Sequence, residues 1–332
     1  MRTPKSLSYS SLVLYERDPD EFYMRYLADK AVGRLPQEKP MAAGAAFDAC
    51  VKSAISGDIF GKGARPQFEF DTIFESQVEK QNYDFALDAG KHIFDCYVIS
   101  GAYKDLTVLL LESVEEPRME FTVTGAVGNS PFLGKPDLRF VLDRGQGRIS
   151  CVYDFKVHGY CSKYGASPTK GYMLCRDGYE GKHSRSHMQE HTNYLAMDFR
   201  GLIINSGYME HCSDEYADQL CLYGWLLGEQ PGDENVVLGI EEVIAKYMGE
   251  GVSPQLRIAN HRGRVSKKHQ DLLLERVNKC WNAITSGHIF QDQSREDNDA
   301  QCAALDKMSG ALLSDGSTRD QFFVDCVRSP KW

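Results

Sequence analysis

The sequence predicts an α/β fold: one domain with a long insertion and a helical C-terminal extension. Three observations predict it. Asp137 to Asp143 (DLRFVLD) alternates polar and apolar residues, and Arg148 to Val157 (RISCVYDFKV) is again strand-like. Arg144-Gly145-Gln146-Gly147 between them is turn chemistry, so the two runs form a hairpin. Asp214 to Leu227 has strong helical patterning, with Ser213 at the N-cap, acids in the first turn and Gly228 as the stop. Val236 to Lys246 then reads as a strand, and Ser266 to Ser286 as an amphipathic helix.

The remaining elements follow in chain order. Leu7 to Leu27 reads as helix, capped by Ser8 or Ser10, with apolar and aromatic residues at helical spacing. Pro19 breaks or restarts it at Asp18, because the residue before a proline avoids helical backbone. A second helix covers about Met41 to Ile55, and its start (MAAGAAFDA) permits close packing against a neighbour. Gly57 to Pro66 is expected as a loop and Phe70 to Ser100 as largely helical. Leu106 to Glu112 and Met119 to Thr124 are expected as strands. The polar, Gly- and Tyr-rich stretch from about 158 to 212 reads as an inserted excursion, and about 266–332 as the helical C-terminal extension.

Composition narrows the classes. The 332 residues are 42% hydrophobic, ample for a packed core. There is no uncharged apolar run of about eighteen residues, so no membrane-spanning helix is expected. The N-terminus (MRTPKSLSYSS) lacks a signal-peptide core, and a soluble cytoplasmic protein is the expectation. A net charge of -9 argues against a globally basic nucleic-acid binder, although a local basic groove is compatible with it. The ten cysteines lack framework spacing and read as reduced thiols.

The hairpin carries the chemistry. With its turn centred between Gly145 and Gln146, Asp137 lies opposite Asp154, their Cβ atoms roughly 5 Å apart. Lys156, two positions further on, shares the face of Asp154. Two carboxylates and an ammonium on one face can hold a divalent metal and orient a water for attack on a phosphodiester. Carboxylate oxygens suit Mg²⁺ or Mn²⁺. A solvated strand edge is the other reading of Asp-x-Lys. Gln219 and Tyr223 stand at i and i+4 and share a helix face, where Gln bonds a phosphate or base and Tyr stacks; a core tyrosine is the alternative. Asp48 is a third candidate metal ligand or an exposed helix acid, and Glu120 a further acid within reach.

Taken in order, these segments resemble the RecB-type exonuclease branch of the PD-(D/E)xK nuclease superfamily. Leu7-Ser8-Tyr9-Ser10-Ser11-Leu12 with Tyr15, Pro19 and Phe22-Tyr23 is similar to its opening signature. Gly44 to Asp48 is similar to its G-x-x-x-H, Gly134-Lys135-Pro136-Asp137 to its G-x-x-D, Asp154-Phe155-Lys156 to its D-x-K, and Gln219 to Tyr223 to its Q-x-x-x-Y. The resemblance covers roughly residues 7 to 228. It implies a restriction-endonuclease-like mixed β-sheet core flanked by helices, and metal-dependent hydrolysis of DNA. It implies Asp137 and Asp154 as metal ligands, Lys156 as the water-activating residue, and Gln219 and Tyr223 as the pair completing the site. The pattern looks most like bacteriophage-encoded members, with roles in DNA recombination, repair or degradation and a recombination or single-strand-annealing protein as a partner.

Two departures qualify it. Asp48 replaces the histidine, which adds negative charge. Asp18 precedes Pro19 where cluster-bearing relatives have cysteine, and Cys280, Cys302 and Cys326 lie about twenty residues apart, so no iron–sulfur cluster is expected. Elsewhere, Cys175, His183, His187 and His191 read either as a zinc set or as a polar helix face. Arg257, His261, Arg262, Arg264, Lys267 and Lys268 form a basic stretch expected to grip DNA phosphates, or else an ordinary solvated loop. Tyr160, Lys163, Tyr164, Lys170 and Tyr172 offer a stacking surface for a single strand.

Overall fold

A computed structural model describes residues 2–30, 35–145, 147–162, 202–209, 212–252, 254–287, 303 and 307. Cys175, His183, His187, His191, Lys163, Tyr164, Lys170, Tyr172, Cys302 and Cys326 lie outside them. The chain divides into two compact units: residues 1–36, 126–132 and 274–332 in one, and residues 37–125 and 133–273 in the other.

In the first unit, Ser8 caps α1 (Tyr9–Arg17) through a reciprocal capping box with Ser11. Asp18 ends α1 and caps α2 (Pro19–Phe22), accepting the Glu21 N–H at 2.9 Å, so the chain restarts at Pro19 as expected. A π-helical turn, Tyr23–Leu27, follows. Leu12, Tyr15, Phe22 and Leu27 are buried. Leu7 bridges Phe132, and Arg276 forms two 2.7 Å bonds to Glu16.

The second unit holds a mixed six-stranded sheet. Its strands are β1 (Arg118–Met119), β4 (Leu138–Asp143), β5 (Arg148–His158), β6 (Leu202–Tyr208), β7 (Val236–Lys246) and β8 (Gln255–Arg264). They lie in the order β1-β4-β5-β7-β8-β6. Strand β5 is antiparallel to β4 and parallel to β7, and β6 is parallel to β8. A separate two-stranded ribbon pairs β2 (Val123–Val127) with β3 (Ser130–Gly134). Helices α3 (Lys39–Phe60), α4 (Phe70–Gln77), α5 (Tyr83–Ile99) and α6 (Ala102–Leu111) precede the sheet strands, and α7 (Asp214–Leu226) lies between β6 and β7. Helix α8 (Lys267–Ser286) begins in this unit and ends in the first.

Alternation along the strands assigns the two faces of the sheet. Phe140, Cys151, Tyr153, Val243 and Ile258 join Phe47, Val51, Ile93, Tyr97 and Leu106 in one core cluster, so α3, α5 and α6 cover that face. Helix α7 packs on β5 and β7 from the other. Small residues let α3 and α5 approach: a Cβ at Gly90 would lie 2.5 Å from that of Ala46.

Four expectations are corrected. Leu106 to Glu112 is helical, because its apolar run buries Ala102, Leu106 and Leu110 at four-residue spacing, a helix period. The loop after α3 starts at Gly61 (φ 92°) rather than Gly57. Met119 to Thr124 is no continuous strand, since Glu120 takes a positive φ of 49°. The stretch 158–212 is not wholly an excursion: Leu202–Tyr208 is the edge strand paired with β8.

Glu241 on β7 is fully buried, accepting a hydrogen bond from the Tyr97 hydroxyl at 3.0 Å, with Arg262 4.0 Å away. Burial pushes its carboxyl from 4.5 up to about 7, against the pull of Arg262. The folded state therefore binds this proton more tightly than the unfolded chain, and stability falls as pH rises from about 4.5 to about 7. Glu241→Gln keeps an acceptor for Tyr97 and removes that loss. Thermal melts should show the variant gaining on wild type by a few kcal/mol at most between pH 5 and pH 8, at about 1.4 kcal/mol per pKa unit. An equal difference at both pH values would contradict the assignment.

Candidate active site

The hairpin register is the one the sequence predicts. Leu138 pairs with Tyr153 and Asp143 with Arg148, which continues to Asp137 opposite Asp154. Asp137 stands just before β4, and its Oδ2 accepts the Phe155 N–H at 3.0 Å, fastening it to β5. Asp154 forms an ion pair with Lys156, and its carboxyl stands beside that of Asp137.

Asp48, Glu120 and Asp137 each bring one carboxylate oxygen within 4.8 Å of the others. Lys52, one helical turn after Asp48, places its ammonium among them. Its Nζ lies 2.7 Å from Asp48 Oδ1 and 2.8 Å from Asp137 Oδ1, and it also bonds Glu120. Gln77 donates to Asp48 Oδ2 at 3.0 Å, and Lys135 pairs with Glu120. Four carboxyls thus meet three lysine amines, and the Lys52 side chain is only 1% exposed.

This environment separates the carboxyls. Burial raises Asp48 to about 6, with Lys52 opposing. Burial raises Asp154 to about 7, and the Asp137 charge adds to it. Burial also acts on Asp137, but Lys52 and the Phe155 N–H prevail and hold it below the ordinary carboxylate value. Asp137 is therefore the firmly ionised member, with Asp154 able to donate to it. Lys52 itself is pushed above its usual value by the three acids, despite its burial.

Helix α7 completes the arrangement on Lys156. Lysine can only donate, so the oxygen of the Gln219 amide faces its Nζ at 2.7 Å, and the amide NH₂ then donates to the Tyr223 hydroxyl at 2.6 Å. Gly134 explains why Tyr223 sits so close: a Cβ there would lie 2.8 Å from its ring. The ring of Tyr216 lies under Lys156, with Nζ 5.4 Å from its centre.

The structure thus joins Asp48, Asp137, Asp154, Lys156, Gln219 and Tyr223. It puts Glu120, rather than Asp154, with Asp48 and Asp137 in the closest oxygen triad. Lys52 was not singled out from sequence; its i+4 spacing from Asp48 is the signal that marks it. The basic stretch is not a loop. Arg257 to Arg264 lie in β8, where Arg257 pairs with Ile244 of β7 and is only 4% exposed, and β6 flanks the strand from Ala259 onward. Arg262 lies near Glu241, and Arg264 lies over the Tyr208 ring. Lys267 and Lys268 are exposed at the start of α8, where Lys267 pairs with Asp271 at 2.6 Å.

No model of a known protein family matches the chain, and no curated protein matches it. Among the described residues, no helix is long and apolar enough to cross a membrane.

The donor set fits a hard divalent cation by chemistry, since all three donors are carboxylate oxygens. Lys52 supplies the positive charge at the same oxygens. Removing it strands a buried acid cluster, a change that costs about 3–5 kcal/mol when one partner of a buried pair is lost. Lys52→Met should therefore melt well below wild type in chelator, and Mn²⁺ should raise its melting temperature more than that of wild type. Equal Mn²⁺ shifts in the two proteins would show that these oxygens do not receive the metal.

Proposed function

We propose that the chain is a metal-dependent deoxyribonuclease that hydrolyses phosphodiester bonds, more in the manner of an exonuclease than of a site-specific endonuclease. The observation that carries this reading is the convergence on Lys156. The hairpin brings Asp154 beside it, and the Gln219–Tyr223 pair holds its amine from the facing helix.

Asp137, Asp48 and Glu120 would hold Mg²⁺ or Mn²⁺, with Asp154 alongside. The bound ion supplies charge neutralisation at the phosphate and acidifies a water. Lys156 has its ammonium steered by three groups at once: the Asp154 carboxylate, the Gln219 carbonyl and the Tyr216 ring. A lysine so held can position a water against phosphorus and bond a non-bridging oxygen. Tyr223 keeps the Gln219 amide in the orientation that lysine requires.

The proposed substrate is DNA, handled in recombination, repair or degradation together with a recombination or strand-annealing partner. Lys267 and Lys268 are the members of the basic stretch exposed enough to meet a phosphate. A second reading has a specific observation behind it. Lys52 already neutralises the acid triad, as it would in a non-catalytic DNA-binding or assembly protein built on the same fold.

Incubation with end-labelled linear and with circular DNA separates the two. The nuclease reading predicts digestion of linear DNA in Mg²⁺ or Mn²⁺ and none in chelator. Asp154→Asn and Lys156→Ala should each lower the rate by about 10²-fold or more, the scale of a positioned acid–base group, with melting temperatures showing that both remain folded. Wild-type rates in either folded variant would refute the assigned roles. Binding without cutting in every metal would favour the non-catalytic reading.

A further inference from the structure

We propose that Lys135 grips a phosphate of the substrate strand at the rim of the acid cluster. The inference rests on the nuclease reading and names the residue that takes the charge of the substrate.

Asp48, Glu120, Asp137 and Asp154 repel an approaching phosphodiester, so a strand settles there only against cations. The three amines at the cluster are not equally placed to provide one. The Lys52 side chain is 1% exposed and that of Lys156 20%, whereas that of Lys135 is 51% exposed. Lys52 is committed to three carboxylates, and Lys156 is held by Asp154, the Gln219 carbonyl and the Tyr216 ring. Among the described residues, the Lys135 ammonium pairs with Glu120 alone. An ammonium carries three N–H donors, so two remain for oxygens that come from solvent.

Glu120 ties this amine to the site. Its carboxylate is divided between the buried and the exposed lysine, with Oε2 on Lys52 and Oε1 on Lys135. A Glu120 oxygen also stands within 4.8 Å of oxygens of Asp48 and Asp137. The Lys135 ammonium is therefore one carboxylate away from the proposed metal ligands and open to solvent.

The backbone around Lys135 is fixed as well. Gly134 lies so close to α7 that a Cβ there would be 2.8 Å from the Tyr223 ring and 2.9 Å from Leu226. Pro136 disfavours helical backbone at Lys135. Asp137, two residues on, accepts the Glu120 N–H on its carbonyl at 3.0 Å. A lysine held both by its chain and by its carboxylate partner loses less freedom on taking a phosphate.

The test is strand binding by fluorescence anisotropy in Ca²⁺, with Mg²⁺ and Mn²⁺ withheld, over a series of salt concentrations. The probe is a labelled single-stranded oligodeoxynucleotide. Lys135→Gln should bind it about five-fold more weakly than wild type or worse, the scale of one hydrogen bond to a charged group. The slope of log affinity against log salt should flatten by about 0.7, one phosphate contact on a single strand. Lys135→Arg, which keeps the charge, should keep the slope. Mn²⁺ should bind Lys135→Gln at least as tightly as wild type, because the variant removes a cation and no ligand. KM for linear DNA should rise with kcat unchanged, the pattern of an interaction made equally in ground and transition states. Lys135→Ser is a second variant of the same kind; melting temperatures establish folding, and either folded variant suffices. An unchanged slope overturns the grip and leaves the nuclease reading standing where wild type cuts DNA. So does weakened Mn²⁺ binding, or a kcat as low as that of Lys156→Ala. Wild type that binds DNA and never cuts it overturns the nuclease reading, and the slope then decides the grip. Wild type that neither binds nor cuts DNA overturns both.

Discussion

Carboxylates do not gather at the edge of a hydrophobic core without a cation to hold them. Here the cation is the ammonium of Lys52, almost wholly buried among Asp48, Glu120 and Asp137. The rest of the site is arranged around that constraint. Asp137 ionises because Lys52 and a backbone N–H favour its charge, and Asp154 is driven toward its neutral form by burial and by that same charge. Lys156, on the β5 side, is left to Asp154 and to the amide of Gln219. Lys135 adds a further pairing at Glu120, so three lysine amines face the four acids.

The sheet makes this convergence geometrically cheap. Helix α3 delivers Asp48 and Lys52 from one face, α7 delivers Gln219 and Tyr223 from the other, and the β4–β5 hairpin carries the acids between them. Glu120 reaches the group from a left-handed backbone position, an unfavourable conformation for a residue with a side chain. Strain of that kind at a charged residue persists where surrounding contacts over-determine it, and here Lys52 and Lys135 both pair with Glu120.

Much of this was legible in the residues. The hairpin register followed from turn chemistry and alternation, and it held to the residue. The i, i+4 pairing of Gln219 and Tyr223 followed from helix geometry. What stayed hidden depended on long-range contact. Lys52 reads as an ordinary helix lysine until Glu120 and Asp137, distant in sequence, are brought to it. The run from Leu106 to Leu111 is apolar enough for either period, and only its buried face decides for helix. Arg257 to Arg264 look like a solvated basic loop because nothing local shows that β7 and β6 flank them on both sides.

The central claim is that Asp137 anchors a divalent cation together with its neighbouring acids. Calorimetric titration of Mn²⁺ into wild type and into folded Asp137→Asn tests it most directly. The account predicts saturable binding to wild type that Asp137→Asn abolishes or weakens severely. Binding of equal strength in both proteins, or none in wild type, would contradict it.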